Sequence, residues 1–376
     1  MIDLELIGAD VLQDRRLQPG SLSIAEGKIA SSGGRQIDLS GYRVLPGIID
    51  LHGDGFERHL APRRGAMKDL TQGLASCDAE LAANGITTAV LAQFFSWEGG
   101  MRGPDFATRF LEALARSEMA TDILPQLRFE THMLQDYARF EALVAAHQVP
   151  YVVFNDHLPH KALAAGKRPP RLTGQALKGG RSPEAHLEML QALYARRDEV
   201  PVALAALAQR LQNTGVILGS HDDATADARQ EWRAMGVAIS EFPETLEAAE
   251  SARAGGDSIV LGAPNVVRGG SHSGNVSAAD LVEAGFCDAL ASDYHYPALR
   301  QAVMGLVGQG TEFGTAWTLV SERPAQVLGL ADRGSLTVGK RADLVIMHSV
   351  TGRIEATLCG GRVSYLTGEA ATRFMR

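Results

Sequence analysis

His52-Gly53-Asp54 sets two ligand-type side chains two residues apart at the end of the apolar run VLPGIID. Comparable residues close several later apolar runs: Glu130 and His132 in LRFETHM, Asp156 and His157 after YVVFN, His221, Asp222 and Asp223 after VILGS, and Asp293 in DALASD. A single histidine at a strand end is more often hydrogen-bonded structure than a ligand. A single aspartate there commonly caps the next helix, a reading that suits Asp223 and in part Asp293. Together, however, so many acids on one face repel one another unless a cation neutralises them, and the set predicts a divalent metal site. Mixed nitrogen and oxygen donors without thiolate suit zinc, manganese or iron, with zinc the default and magnesium a further candidate.

A second group of residues suits an anion. GAPNVVRGGSHSGN combines Arg268, a Gly-Gly pair, Ser271 and Ser273 flanking His272, and Asn275. Glycines let backbone N–H groups approach phosphate oxygens, hydroxyls donate to them, and arginine neutralises them bidentately. Arg58, His59 and Arg63, just beyond the first run, join this set as candidate phosphate contacts. Six cations and no acid lie between Lys161 and Arg181, a stretch that reads equally as a solvated face or as a partner for a phosphate chain.

The elements that must bring these residues together are legible in the same pattern. The runs VLPGIIDLH, ITTAVLA, LRFETHM, YVVFNDH, VILGSH, VAISEF, SIVLGAP and DALASD alternate with helical stretches. That makes about eight parallel strands, the number that closes a (β/α)8 barrel, whose active sites sit at the C-terminal strand ends. Ser182-Pro183-Glu184 reads as a helix start and Gly215 as a helix stop. The short alternating runs before Val44 and after about residue 335 predict one small β-sandwich built from both termini (1–44 and 335–376) around the barrel at 45–334. An open doubly wound sheet is disfavoured because no GxGxxG follows the first strand.

Composition bounds the rest. With 376 residues, 45% of them hydrophobic, the chain can bury a large core, and a net charge of -8 argues against a general nucleic-acid binder. Cys77, Cys287 and Cys359 lack any CxxC spacing and read as buried thiols. No basic leader or membrane-length apolar run is present, which predicts a cytoplasmic protein without a membrane partner.

VLPGxIDxH at the first barrel strand and GKRADLVIM near the end resemble the amidohydrolase superfamily. LGSHDDAT, SEFPETLEAAESAR, VLGAPNVVRGGSHSGN and ALASDYHYP are similar to its branch of diphosphatases acting on α-D-ribose 1-methylphosphonate 5-triphosphate in the carbon–phosphorus lyase pathway. The resemblance implies a distorted TIM barrel with a terminal sandwich, and hydrolysis of the α–β phosphoanhydride to pyrophosphate and 5-phospho-α-D-ribose 1-methylphosphonate. It implies that His52, Asp54, Glu130, His157, His221 and Asp293 hold one or two metals, with Asp293 as general base and His221 and His272 as further catalytic candidates. It also implies a homodimer and a functional link to proteins of that pathway.

Most of the superfamily carries His-x-His at the first strand, and this branch carries His-x-Asp, as here. Gly53 and Gly55 stand where the branch often has Thr and Asn, which predicts an altered substrate choice. The sixth strand offers Glu241 in place of a second histidine, a role left to His157, His272 or a single-metal site. The alternative reading is an amidohydrolase or deaminase cutting a carbon–nitrogen bond of a small substrate, phosphorylated or not, since one barrel serves both chemistries. A non-catalytic barrel is disfavoured by the full set of ligand-type residues.

Overall fold

The computed structural model describes residues 3–62, 68–269 and 276–376. Five strands open the chain: β1 (Leu4–Gln13), β2 (Arg16–Ala25), β3 (Lys28–Ala30), β4 (Arg35–Asp38) and β5 (Tyr42–Pro46). The next eight, β6 (Ile48–Gly53), β7 (Ile86–Phe95), β8 (Asp122–Glu130), β9 (Tyr151–Asn155), β10 (Ile217–His221), β11 (Ile239–Glu241), β12 (Ser258–Gly262) and β13 (Ala289–Ala291), pair in chain order. All seven pairings are parallel, and helices run between the strands. Each of the eight predicted runs is a barrel strand.

Closure is made by few residues. Gly53 bridges Asp293 in parallel, Asp293 N–H donates to the His52 carbonyl at 2.9 Å, and Asp54 N–H donates to the Asp293 carbonyl at 2.9 Å. Beneath this seam, buried Asp50 accepts from Ser292 Oγ at 2.5 Å and from Ser292 N–H at 2.9 Å. The first and last barrel strands are therefore joined at the level of the predicted ligands.

The terminal strands form a separate sheet with β14 (Leu344–His348), β15 (Ile354–Cys359) and β16 (Arg362–Leu366), in the order β16-β15-β14-β5-β1-β2-β3 with β4 on β1. The predicted sandwich is thus one continuous sheet around its own core, and the chain ends in a helix, Gly368–Met375, that the strand-like texture did not suggest. Side chains alternate across a strand, and β5 and β14 use both faces. Val44, Leu344 and Ile346 enter the small core, whereas Leu45, Val345 and Met347 enter the barrel's. This alternation packs the two units together, and Thr357 Oγ1 donating to the Ala82 carbonyl at 2.7 Å and Arg341 pairing with Asp122 at 2.9 Å add polar ties between them.

Local signals mostly hold. Ser182 Oγ accepts from Ala185 N–H at 3.1 Å at the head of helix Pro183–Ala195, and Gly215 takes a left-handed φ of 82° after helix Val200–Asn213. The capping reading of Asp223 and Asp293 does not hold. Thr225 caps helix Ala226–Ala234, while Asp223 accepts from Ser220, Ser240 and the fully buried Arg229 at 2.8, 2.6 and 3.1 Å. The helix after Asp293 starts at Ala298 behind Pro297. The three cysteines are free and buried. Among the described residues, no helix is long and apolar enough to cross a membrane.

Candidate active site

At the C-terminal end of the barrel, the rings of His52 from β6 and His221 from β10 stack with centroids 5.3 Å apart. One edge of the pair faces Glu241 from β11. His221 Nδ1 lies 3.3 Å from Glu241 Oε2, and His52 Nδ1 is 2.7 Å from the same oxygen but off the axis of a good hydrogen bond. The other carboxylate oxygen accepts from Tyr151 Oη at 2.6 Å and Gln126 Nε2 at 2.9 Å. Burial pushes the Glu241 carboxyl up, but the two imidazoles outweigh it and hold the group well below the usual range, hence ionised.

The opposite edge faces Arg128, a residue of β8 that the pattern of acids and imidazoles did not bring out. Its guanidinium lies 2.8 Å from His221 Nε2, 3.4 Å from His52 Nε2 and 3.8 Å from Asp54 Oδ2, and stacks on Phe94 at 3.9 Å. Guanidinium offers hydrogens only, so both Nε2 atoms carry lone pairs and both Nδ1 atoms carry the hydrogens that face Glu241. Burial and then Arg128 lower the pKa of His221 accordingly, which keeps that imidazole neutral.

The remaining acids surround this pair. Burial first, and Asp54 second, raise the Asp293 pKa to about 6. Glu130, at the end of β8, contacts His157 Nδ1 at 2.5 Å and accepts its backbone N–H at 3.1 Å. Burial disfavours a charged His157, but Glu130 and Asp222 outweigh it and carry the pKa to about 10. Asp222 lies 3.6 Å from His221 Nε2 and 3.9 Å from His157 Nε2. Asp222, Phe242 and Asp293 all adopt left-handed backbone, with φ of 60°, 55° and 54°. Such positions cost about 1–3 kcal/mol each and here they cluster at the site.

A divalent cation fits these residues. His52, His221 and Glu241 gather within 4.8 Å of one another, and the Nε2 lone pairs of both imidazoles face the side where Asp54 lies. Nitrogen and oxygen donors without thiolate suit zinc-like ions, and the surrounding Asp54, Asp293 and Glu130 supply negative charge.

The candidate phosphate contacts divide. Arg58 and His59 both clasp Glu80, His59 Nε2 at 2.6 Å, and Arg58 also donates to the Tyr294 carbonyl at 2.9 Å. These contacts tie the short helix Glu57–Leu60 after β6 to helix Leu70–Ala83. Arg268 donates to Tyr294 Oη at 2.5 Å, beside Asp293. Arg63, Ser271, His272, Ser273 and Asn275 lie outside the described residues. In the basic stretch, Arg181 donates to the Trp97 carbonyl at 2.9 Å, while Lys161, Lys167, Arg168, Arg171 and Lys178 are exposed.

Residues 67–365 match the amidohydrolase family model. The chain belongs to the amidohydrolase family. This amidohydrolase is 35% identical over 359 residues to the α-D-ribose 1-methylphosphonate 5-triphosphate diphosphatase of Escherichia coli (strain K12), covering 88% of its own length and 91% of the relative's. Its fold is similar to a β-aspartyl dipeptidase from Fervidobacterium islandicum AW-1, at TM-score 0.60 and 13% identity with 97% of each chain covered. A 5-methylcytosine deaminase from Klebsiella pneumoniae gives TM-score 0.61 at 15% identity, over 97% of this chain and 98% of the other. In this amidohydrolase the end of the sixth barrel strand is filled by Glu241, which holds the imidazoles of the first and fifth strands.

Gly53 and Gly55 also find a physical reason. A Cβ on Gly53 would come within 2.8 Å of Asp50 Oδ2, 2.9 Å of Tyr296 Cε1 and 3.0 Å of Ser292 Oγ. One on Gly55 would meet Arg58 Nη1 at 3.0 Å and the Tyr294 carbonyl at 3.2 Å. The first glycine serves the closing seam and the second the close approach of the 294–296 turn.

Proposed function

We propose that this amidohydrolase hydrolyses the α–β phosphoanhydride of α-D-ribose 1-methylphosphonate 5-triphosphate, releasing pyrophosphate and 5-phospho-α-D-ribose 1-methylphosphonate. The observation that carries the reading is the likeness to the E. coli diphosphatase over 88% of the chain. The site agrees with it chemically, because Arg128 places a fixed cation among acids, where a phosphoryl oxyanion needs charge compensation.

His52 and His221, with Asp54, Asp293, Glu130 and His157 beside them, are the residues that would hold one or two divalent ions, zinc by default, with Glu241 set against both imidazoles. A bound ion supplies Lewis acidity and a water of lowered pKa. Asp293 takes the proton of the attacking water as its oxygen adds to the α phosphorus. Arg128 neutralises the charge that grows on the α-phosphoryl oxygens, and the bond to the bridging oxygen breaks with pyrophosphate leaving. Glu241 keeps both imidazoles in one tautomer and one orientation throughout. The enzyme acts, on this reading, as a cytoplasmic homodimer serving phosphonate breakdown.

The test is product analysis on purified, metal-loaded enzyme given the ribose 5-triphosphate. Pyrophosphate in equal amount to 5-phospho-α-D-ribose 1-methylphosphonate is expected. Orthophosphate alone, or turnover confined to amide or amine substrates, overturns the reading.

A further inference from the structure

We propose that His132, Asp156 and His160 form a second divalent-cation site, distinct from the His52–His221–Glu241 group, at the outer rim of the catalytic face. The three donors come from the segments following two adjacent strands. His132 lies two residues beyond the end of β8, Asp156 directly follows β9, and His160 opens helix His160–Ala164. One donor atom from each lies within 4.8 Å of the others.

The spacing at His132 suits a shared ion better than a hydrogen bond. His132 is 5% exposed, and its Nδ1 has no close partner: Asp156 Oδ1 and Thr131 Oγ1 are both 3.4 Å away. That is long for a hydrogen bond to a carboxylate. It is close to the edge of a tetrahedron with metal–ligand bonds of about 2.0–2.1 Å, which is about 3.3 Å. His160 Nε2 sits nearer, 2.9 and 2.8 Å from the two Asp156 oxygens, and opens by about half an ångström to admit an ion of that bond length.

The donors are also held in place beforehand. Thr131 N–H donates to the Asn155 carbonyl at 3.0 Å, locking the two segments side by side. Leu158 N–H donates to Asp156 Oδ1 at 3.2 Å, fixing the carboxylate over the turn. Two imidazoles and one carboxylate leave a dication with a net positive charge and at least one open position. Since Asp156 and His160 are 38% and 39% exposed at the side chain, that position faces solvent, where water or an anionic oxygen completes the shell. The site shares no residue with the buried group, so it can fill and empty independently.

The test counts ions without substrate and stands apart from the assay of pyrophosphate release. Wild-type protein and the variants His160→Ala, Asp156→Asn and His132→Gln are stripped with chelator, checked for folding by circular dichroism, and titrated with Co2+. Each variant should bind one equivalent fewer than wild type by elemental analysis and lose one step of the visible cobalt absorption. Equal stoichiometry and spectra in wild type and His160→Ala overturn the proposal. His160 is partly exposed, so that variant remains informative if His132→Gln does not fold.

Discussion

Because Arg128 has only hydrogens to give, its position between His52 and His221 forces both rings to present lone pairs on the same edge, while Glu241 collects both opposite edges. Replacing Arg128 with Met removes the charge and keeps much of the volume. Pyrophosphate release should then fall about 100- to 1,000-fold in kcat, with metal content by elemental analysis unchanged. Glu241→Gln attacks the other edge. Metal affinity should weaken about 10- to 100-fold, measured by competition with a chromophoric chelator, and unchanged affinity would remove Glu241 from the role given to it.

His52, His221 and Asp293 were legible because acids and imidazoles at the ends of apolar runs stand out. Arg128 was not, although a lone arginine in a buried strand, two residues before Glu130 and so on the same face, is the anomaly that could have exposed it. Asp223 was misread for a different reason. Its partner Arg229 lies on the following helix, and no local pattern announces a buried pair across that turn.

At the scale of elements, the seam between β6 and β13 unites closure with catalysis. Gly53→Thr drives a branched side chain into Asp50, Ser292 and Tyr296. It should cost about 1–3 kcal/mol in chemical denaturation, and metal binding should weaken with it because His52 and Asp293 are bonded through the same seam. A variant as stable and as metal-competent as wild type would show that the strand ends tolerate the bulk, and that the glycine serves substrate choice instead. Asp223→Ala leaves fully buried Arg229 paired only with Asp257 and takes the acceptor from Ser220 and Ser240, and a loss of about 1–3 kcal/mol is expected in urea unfolding. The eight strands themselves were readable as apolar runs of the right length, since parallel strands covered on both faces need such runs. The pairing of β5 with β14 was visible only as a likeness of texture between the two ends.

For the molecule as a whole, the buried thiols set a limit on alkaline stability. Burial pushes Cys77 and Cys287 to about 12 and Cys359 to about 11, against about 8.5 in an unfolded chain. Above pH 8.5 the unfolded state sheds protons that the native state keeps, so native stability is full below that pH and falls as pH rises towards 11–12. The unfolding free energy from urea titration should therefore drop between pH 8 and pH 10, by up to about 1.4 kcal/mol per pH unit for each thiol. A thiol-specific dye should react only as the protein unfolds, and rapid labelling of native protein would contradict the burial.

The register Val44↔Ile346 and Leu45↔Val345 joins residues at opposite ends of the chain. During synthesis the first five strands leave the ribosome long before β14 exists, and about 300 residues must follow before β5, already paired with β1, gains its second neighbour. Until then that edge presents unpaired backbone to every other nascent chain. Yield in a cell thus depends on how the N-terminal sheet is shielded while the barrel is still being made, a demand set by topology and independent of the chemistry at the site.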